Sequence, residues 1–215
     1  RNAGLRQGRR SVAAMFDGEL SRSGAVLVRR RMSWVEAQAD RFGSSTASLG
    51  ESASVTMRYR GDERLTDMEC WSEALSGAAG RDEALGQTTV GPHRDDLQLF
   101  LGGRPLREVG STGQHRTAAI ALRLLERDTL AEACRAEPAL LLDDVFAELD
   151  RSRQECLARA LGERGAPQVF ITSPRADELP DGFDLEVMTV EQGVVGRTGG
   201  LADRQTVPAP AEAVL

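Results

Sequence analysis

At 215 residues, with 40% hydrophobic and 28% charged content, the chain is long enough for one large domain or two smaller ones with buried cores. No run is apolar enough to span a membrane and RNAGLRQGRR is not a secretory leader, so a cytoplasmic location is expected. All 27 basic residues are arginine, which excludes a phosphate loop of the form G-x-x-x-x-G-K-[ST], because that loop needs a lysine charge on the phosphates.

Charge is uneven. Residues 1–60 hold 11 arginines against 5 acidic residues, and residues 61–215 hold 16 against 28. A basic front on an acidic body points to a polyanion contact confined to one end; a solvated arginine-rich helix face is the alternative. Cys70, Cys134 and Cys156 are odd in number, widely spaced and without a CxxC pair, which fits reduced thiols packed as small hydrophobes. With His93 and His115 as the only histidines, a His/Cys metal site is not expected. The first residue is Arg1 rather than methionine, so a processed chain or a fragment is expected.

Residues 9–42 carry apolar Val12, Met15, Phe16, Leu20, Val28, Trp34 and Val35 near the helical period, around a weak point at Gly24. Val55, Met57 and Tyr59 alternate with polar neighbours, as in a half-buried strand. A helix over 66–85, with Met68, Trp71, Leu75 and Ala79 on one face, stops at Gly86. A strand or turn at Thr89 and Val90 precedes GPHRDD, and Leu97, Leu99 and Leu101 lead into a Gly102-Gly103 hairpin.

From Ser111 the period is helical through Ala118, Ala119, Leu122, Leu125 and Leu130, closing near Pro138. Ala139 to Leu142 is a short apolar run suited to a buried parallel strand. A helix from Asp150 to Leu161, a second buried strand at Val169 to Thr172, and strands near 185–190 and 194–195 complete an α/β pattern. The tail beyond Leu201 is expected to be disordered. The expected division is a helical arm over 1–86, with a strand near 55–60, and an α/β body over 87–200.

Two constellations carry chemistry. Leu140-Leu141-Leu142-Asp143-Asp144 delivers two carboxylates at the C-terminal edge of a buried strand, where open α/β sheets bind ligands. A hard magnesium ion takes oxygen ligands and keeps several waters. Asp143 is therefore the candidate metal-side residue and Asp144 the water-polarising one. Ser111-Thr112-Gly113-Gln114 has the form of a capping box. Its glycine in the first turn would also let a phosphate approach the helix N-terminus.

Their order is more specific than either alone: S-x-G-Q, a helix, an apolar strand ending in two aspartates, Glu148-Leu149-Asp150, a helix, and a strand ending Ile171-Thr172-Ser173. In that order they resemble the signature motif, Walker B, D-loop and switch region of ABC-type ATPase heads, also found in SMC-like proteins. GPHRDDL, STGQHR, LLLDDVFAELD, QVFITS and the opening RNAGLRQ resemble the RecF family in particular, over nearly the whole chain to about Gly193.

The resemblance implies a partial ABC-type head (a P-loop NTPase lobe) with a long helical arm segment, in a protein that binds ATP and Mg2+, engages single-stranded or gapped DNA, dimerises with ATP and works with RecR and RecO. It implies that Asp143 helps hold magnesium and that Asp144 is the catalytic carboxylate. Ser111, Thr112, Gly113 and Gln114 would meet a γ-phosphate carried by the partner subunit. Asp150 would lie at the subunit junction, Thr172 stands where many ABC proteins have a switch histidine, and Arg29, Arg30 and Arg31 fall in the arm as candidate DNA contacts. The family's Walker A loop would precede Arg1, so weak or no ATP binding is expected of this polypeptide alone. A non-catalytic interaction module, or half of a split head, is the alternative. Spacing does not give the chemistry of His93 and Arg94, for which a structural role, with Arg94 paired to Asp95 or Asp96, stands beside a functional one; a guanidinium at Arg116, near the helix start, could meet a phosphate or a carboxylate.

Overall fold

The computed structural model describes residues 1–147, 149–163, 168–175 and 186–200. The chain divides into two units: residues 1–44 with 53–110, and residues 45–52 with those from 111 onward. The expected boundary after residue 86 is not where the chain parts, because the strand at 96–101 pairs with the strand at 55–60 and so binds 87–110 to the first unit. Glu148, Leu185 and the tail 201–215 lie outside the described residues.

In the first unit, α1 (Asn2–Arg6) and α2 (Arg10–Ala14) precede the long α3 (Asp17–Ser48). The helix breaks at Met15 and Phe16 rather than at Gly24. Both residues are exposed there, at 80% and 51%, instead of joining an apolar face. Gly24 sits inside α3 for a packing reason. A Cβ on it would lie 2.2 Å from Cη2 and 2.3 Å from Cζ2 of Trp71, the fully buried centre of a cluster with Ala25, Val28, Leu65 and Leu75.

Trp71 is on α4 (Met68–Leu85), which is capped by the Asp67 carboxylate and ends at Gly86 with φ +63°. Ala78 faces the core in place of Ala79, and Met68 is exposed. The alternating segment is β1 (Val55–Arg60), antiparallel to β2 (Asp96–Leu101) in the register Val55↔Leu101 to Arg60↔Asp96. Gly102 and Gly103, at φ +54° and +80°, turn β2 into the short β3 (Arg104–Pro105), as a two-residue hairpin with both centres left-handed requires. The helical turn α5 (Leu106–Val109) closes the unit.

The second unit is built on α6 (Thr112–Cys134), with β4 (Leu140–Asp143) parallel to β5 (Val169–Thr172). Its buried face on α6 runs through Thr117, Ala118, Ile120, Ala121, Leu124 and Leu125; Ala119 and Leu130, expected inside, are exposed. On β4, Leu140 and Leu142 are buried while Leu141, and Phe170 on β5, are 74% and 54% exposed. α7 (Arg151–Glu163) joins the two strands, and β6 (Glu186–Glu191) with β7 (Val194–Gly200) forms a hairpin. All three cysteines are free thiols; Cys134 is exposed rather than packed. Among the described residues no helix is long and apolar enough to cross a membrane.

Candidate functional site

β4 ends at Asp143, opposite Thr172 in the parallel register. At that edge the Thr172 hydroxyl donates to Asp143 Oδ1. The Asp144 N–H donates to the Thr172 carbonyl at 3.0 Å and approaches its Oγ1 at 3.3 Å. Thr172 thus orients the first carboxylate and anchors the backbone of the second. Asp144 takes φ +49°, a left-handed conformation that aspartate adopts more readily than most side chains but seldom without cause. Its Oδ1 is buried without a hydrogen-bond partner among the described residues, an arrangement that costs about 1–3 kcal/mol or more unless something else donates to it.

The segment that follows is irregular yet buried at Val145, Phe146 and Leu149. Arg116 donates to the Ala147 carbonyl, and Gln154 Nε2 donates to the carbonyls of Phe146 and Leu149 at 3.1 and 3.2 Å. Asp150 Oδ1 accepts from the Arg153 N–H at 2.9 Å, so it acts as an N-cap of α7.

Ser111 caps α6 as a full capping box. Its hydroxyl accepts from the Gln114 N–H at 3.3 Å while Gln114 Oε1 accepts from the Ser111 N–H at 2.9 Å. Ser111 and Thr112 are exposed, Gln114 is half-buried, and Gly113 is buried rather than open to close approach. The Ser111 hydroxyl keeps its own proton to donate, and the Thr112 N–H, in the first turn, has no intrahelical acceptor.

A 37% identical relative, the DNA replication and repair protein RecF of Anaeromyxobacter sp. (strain Fw109-5), aligns over 208 residues, 91% of this chain and 56% of its own length. A solved structure described as the recombination mediator protein RecF with ATP in the RecFOR pathway matches with TM-score 0.71 at 25% identity, over 93% of this chain and 55% of that one. The chain belongs to the RecF family. It spans about half the length of the relatives it matches. An SMC ATPase structure, described by ATP-driven dimerisation and DNA-stimulated activation, shares the fold at 16% identity and TM-score 0.50, over 83% of this chain and 92% of that one. No family model matches the chain.

Within this RecF-family fold, β4, β5 and the start of α6 lie in one unit, and with them Asp143, Asp144, Thr172, Asp150 and Ser111 to Gln114. Sequence reasoning missed Glu51. It is buried, accepts from Arg153 Nη2 at 3.0 Å, and lies 3.4 Å from Gln114 Nε2. Its separation from both partners left no local pattern; only Gly50 beside it, at φ +88° and against Arg153, marks a tight turn.

The arm arginines are partly engaged within their own unit. Arg29 donates to the Thr66 carbonyl at 2.7 Å and Arg31 to the Pro92 carbonyl at 2.6 Å; Arg30, exposed like both neighbours, makes no such bond among the described residues. The expected pairing of Arg94 with Asp95 or Asp96 does not form. Asp95 instead accepts from the Tyr59 hydroxyl, and burial together with that carboxylate pushes the Tyr59 pKa up to about 12. His93 Nε2 donates to the Thr88 carbonyl at 2.8 Å. Arg116 meets the Ala147 carbonyl.

The donor set at the β4 edge suits a hard cation: oxygen only, with an orphaned carboxylate oxygen in place. No group of three or more His, Cys, Asp or Glu side chains gathers among the described residues, so a magnesium ion there would rest on one or two carboxylates, waters and substrate phosphates, as that ion commonly does.

Proposed function

We propose that this chain forms the signature and Walker B portion of an ATP-dependent, DNA-binding recombination mediator of the RecF type, acting at gapped or single-stranded DNA. The observation that carries the reading is Asp144: a left-handed carboxylate with one buried, unpartnered oxygen, beside an exposed Asp143 at the C-terminal edge of a parallel strand. Magnesium, when bound, would neutralise developing phosphate charge. Asp143, oriented by Thr172, would help hold it. The free Oδ1 of Asp144 would accept a hydrogen bond from the attacking water and so orient it.

The Ser111 hydroxyl and the Thr112 N–H would meet the γ-phosphate of a nucleotide held by a second copy, with Gly113 and Gln114 shaping that helix start and Asp150 at the junction. ATP would then tie dimerisation to DNA engagement, and hydrolysis would release both. DNA, a second copy, RecR and RecO are the proposed partners; the solved relative is described within the RecFOR pathway.

The test is Asp144→Asn in a protein of the relatives' full length. ATP-driven dimerisation should persist while turnover falls by about 10²–10⁴-fold, the usual worth of a positioned base. Unaltered hydrolysis would remove Asp144 from this role. A second reading, half of a split head, is favoured by the exposed Leu141 and Phe170 on the β4 and β5 strands. It expects ATPase activity to return on mixing this chain with a separately made complementary half.

A further inference from the structure

In the first unit, α4, the end of β1 and the segment after Thr88 surround an open cavity of about 610 Å³, within the size range of ligand pockets. Its α4 wall is small. Ala74, Gly77 and Ala78 line it, and a Cβ built on Gly77 would meet nothing within 4 Å. Around that floor stand four arginines, Arg60, Arg64, Arg81 and Arg94, with Asp62, Glu73 and Asp95.

Two of the three acids are already engaged. Asp62 takes Arg64 in a fork of 3.0 and 2.8 Å, an ion pair that holds its carboxyl below the usual range through the Arg64 hydrogen bonds. Asp95 accepts from Tyr59. Arg60, Arg81 and Arg94 are exposed, and none makes an ion pair among the described residues. Three guanidinium groups therefore share one concave surface with Glu73 as the single uncommitted acid. Nothing in the local packing uses them: His93, Pro92, Gly91 and Asp95 fix the GPHRDD turn, while Arg94 faces the cavity.

We infer that this cavity is a phosphate-binding site for the backbone of a DNA strand, an inference that rests on the DNA-binding reading above and lies apart from the nucleotide edge of β4. Guanidinium groups bind phosphodiester oxygens in a fork, stay charged at every physiological pH and are weakly hydrated. The unit that contains them carries 16 arginines against 14 acidic residues, whereas the other carries 11 against 19, so a polyanion is drawn to the unit that holds the cavity. The open rim admits a continuous strand.

The test compares a protein of the relatives' full length, with ATP present, with its triple variant Arg60→Ala/Arg81→Ala/Arg94→Ala, and with a charge-matched control, Arg104→Ala/Arg107→Ala/Arg123→Ala. Fluorescence anisotropy with a labelled single-stranded oligonucleotide is recorded across a salt series, and inorganic phosphate is titrated separately. The pocket variant should bind the oligonucleotide about tenfold or more weakly than the control, with a log–log salt slope shallower by roughly 0.7 for each phosphate that is no longer neutralised. Arg60, Arg81 and Arg94 make no ion pair among the described residues, so thermal melting of the pocket variant should match the parent.

Equal oligonucleotide binding by the pocket variant and the control would overturn the site. So would a pocket that captures inorganic phosphate while strand binding stays unchanged. If the parent itself binds no oligonucleotide, the DNA reading falls and this site with it; if the parent binds and the variant binds equally, only the site falls.

Discussion

Gly24→Ala sets two effects of known size against each other. A glycine inside a helix costs about 0.8–1.0 kcal/mol relative to alanine, so propensity alone makes the substitution stabilising. The new methyl would lie 2.2 and 2.3 Å from two carbons of the Trp71 ring, where comfortable carbon contacts lie at about 3.5–4.0 Å. The ring has no room to yield. Trp71 is fully buried, its Nε1 donates to the Leu65 carbonyl at 2.9 Å, and Gly91 closes in so tightly that a Cβ there would be 3.2 Å from the same Cη2.

Overpacking of this kind costs about 1–3 kcal/mol, and pulling Nε1 off its carbonyl adds about 1–3 kcal/mol for an unmade buried bond. Crowding therefore outweighs propensity, with a net loss of roughly 1–5 kcal/mol. Urea unfolding followed by tryptophan fluorescence should show the midpoint falling by about 0.3 M or more, for a slope near 1–3 kcal/mol per M. In a Trp71→Leu background, where the ring is gone, Gly24→Ala should turn neutral or stabilising, giving a coupling energy of opposite sign. A raised midpoint in the parent background would refute the packing argument.

Asp82 is fully buried and accepts from Arg1 at 2.6 Å and from the N–H and hydroxyl of Thr89 at 2.8 and 2.6 Å. Burial pushes its pKa up, but the Thr89 and Arg1 hydrogen bonds outweigh that and hold it below the usual carboxylate value. Because the folded value is the lower one, its contribution is complete above about pH 4 and is lost as pH falls through the folded value. Asp82→Asn should therefore cost roughly 2–4 kcal/mol at neutral pH and flatten the acid limb of a urea-midpoint series; identical pH slopes for the two proteins would contradict this. Thr172→Val, in a protein of the relatives' full length, should lower ATP turnover about tenfold, as one oriented hydrogen bond of about 1.4 kcal/mol implies. Thr172→Ser should restore it, and a valine variant with full turnover would show that Asp143 needs no such partner.

The parts of this fold legible in the sequence are those set by near neighbours. β1, β4 and β5 announce themselves through alternation or apolar runs, the Ser111 capping box is a four-residue signal, and the Gly102-Gly103 hairpin follows from two left-handed centres. What the sequence hid depends on distant contacts. Gly24 resembled a helix-weakening residue because its reason, Trp71, lies 47 positions away. Arg29 and Arg31 resembled free cations because the carbonyls they meet belong to segments 37 and 61 residues on. The division of the chain shifted because β2 pairs across α4 with β1, and no local composition change marks that pairing. Glu51 stayed invisible for the same reason, joined to Gln114 and Arg153 across 63 and 102 positions.

That hidden carboxylate ties the start of α6 to the start of α7. Gln114 is committed at both ends of its amide, Oε1 to the Ser111 N–H at 2.9 Å and Nε2 toward Glu51 at 3.4 Å. Glu51 also holds Arg153, whose own N–H is capped by Asp150. Gln114 Nε2 carries two N–H donors and directs one toward Glu51, so a phosphate can be met by the second while that link stays in place. A phosphate meeting the Ser111 hydroxyl and the Thr112 N–H needs no exchange either, since the capping box leaves that proton and that donor uncommitted. The two segments are thus joined by side chains before any ligand arrives, through Gln114, Glu51 and Arg153.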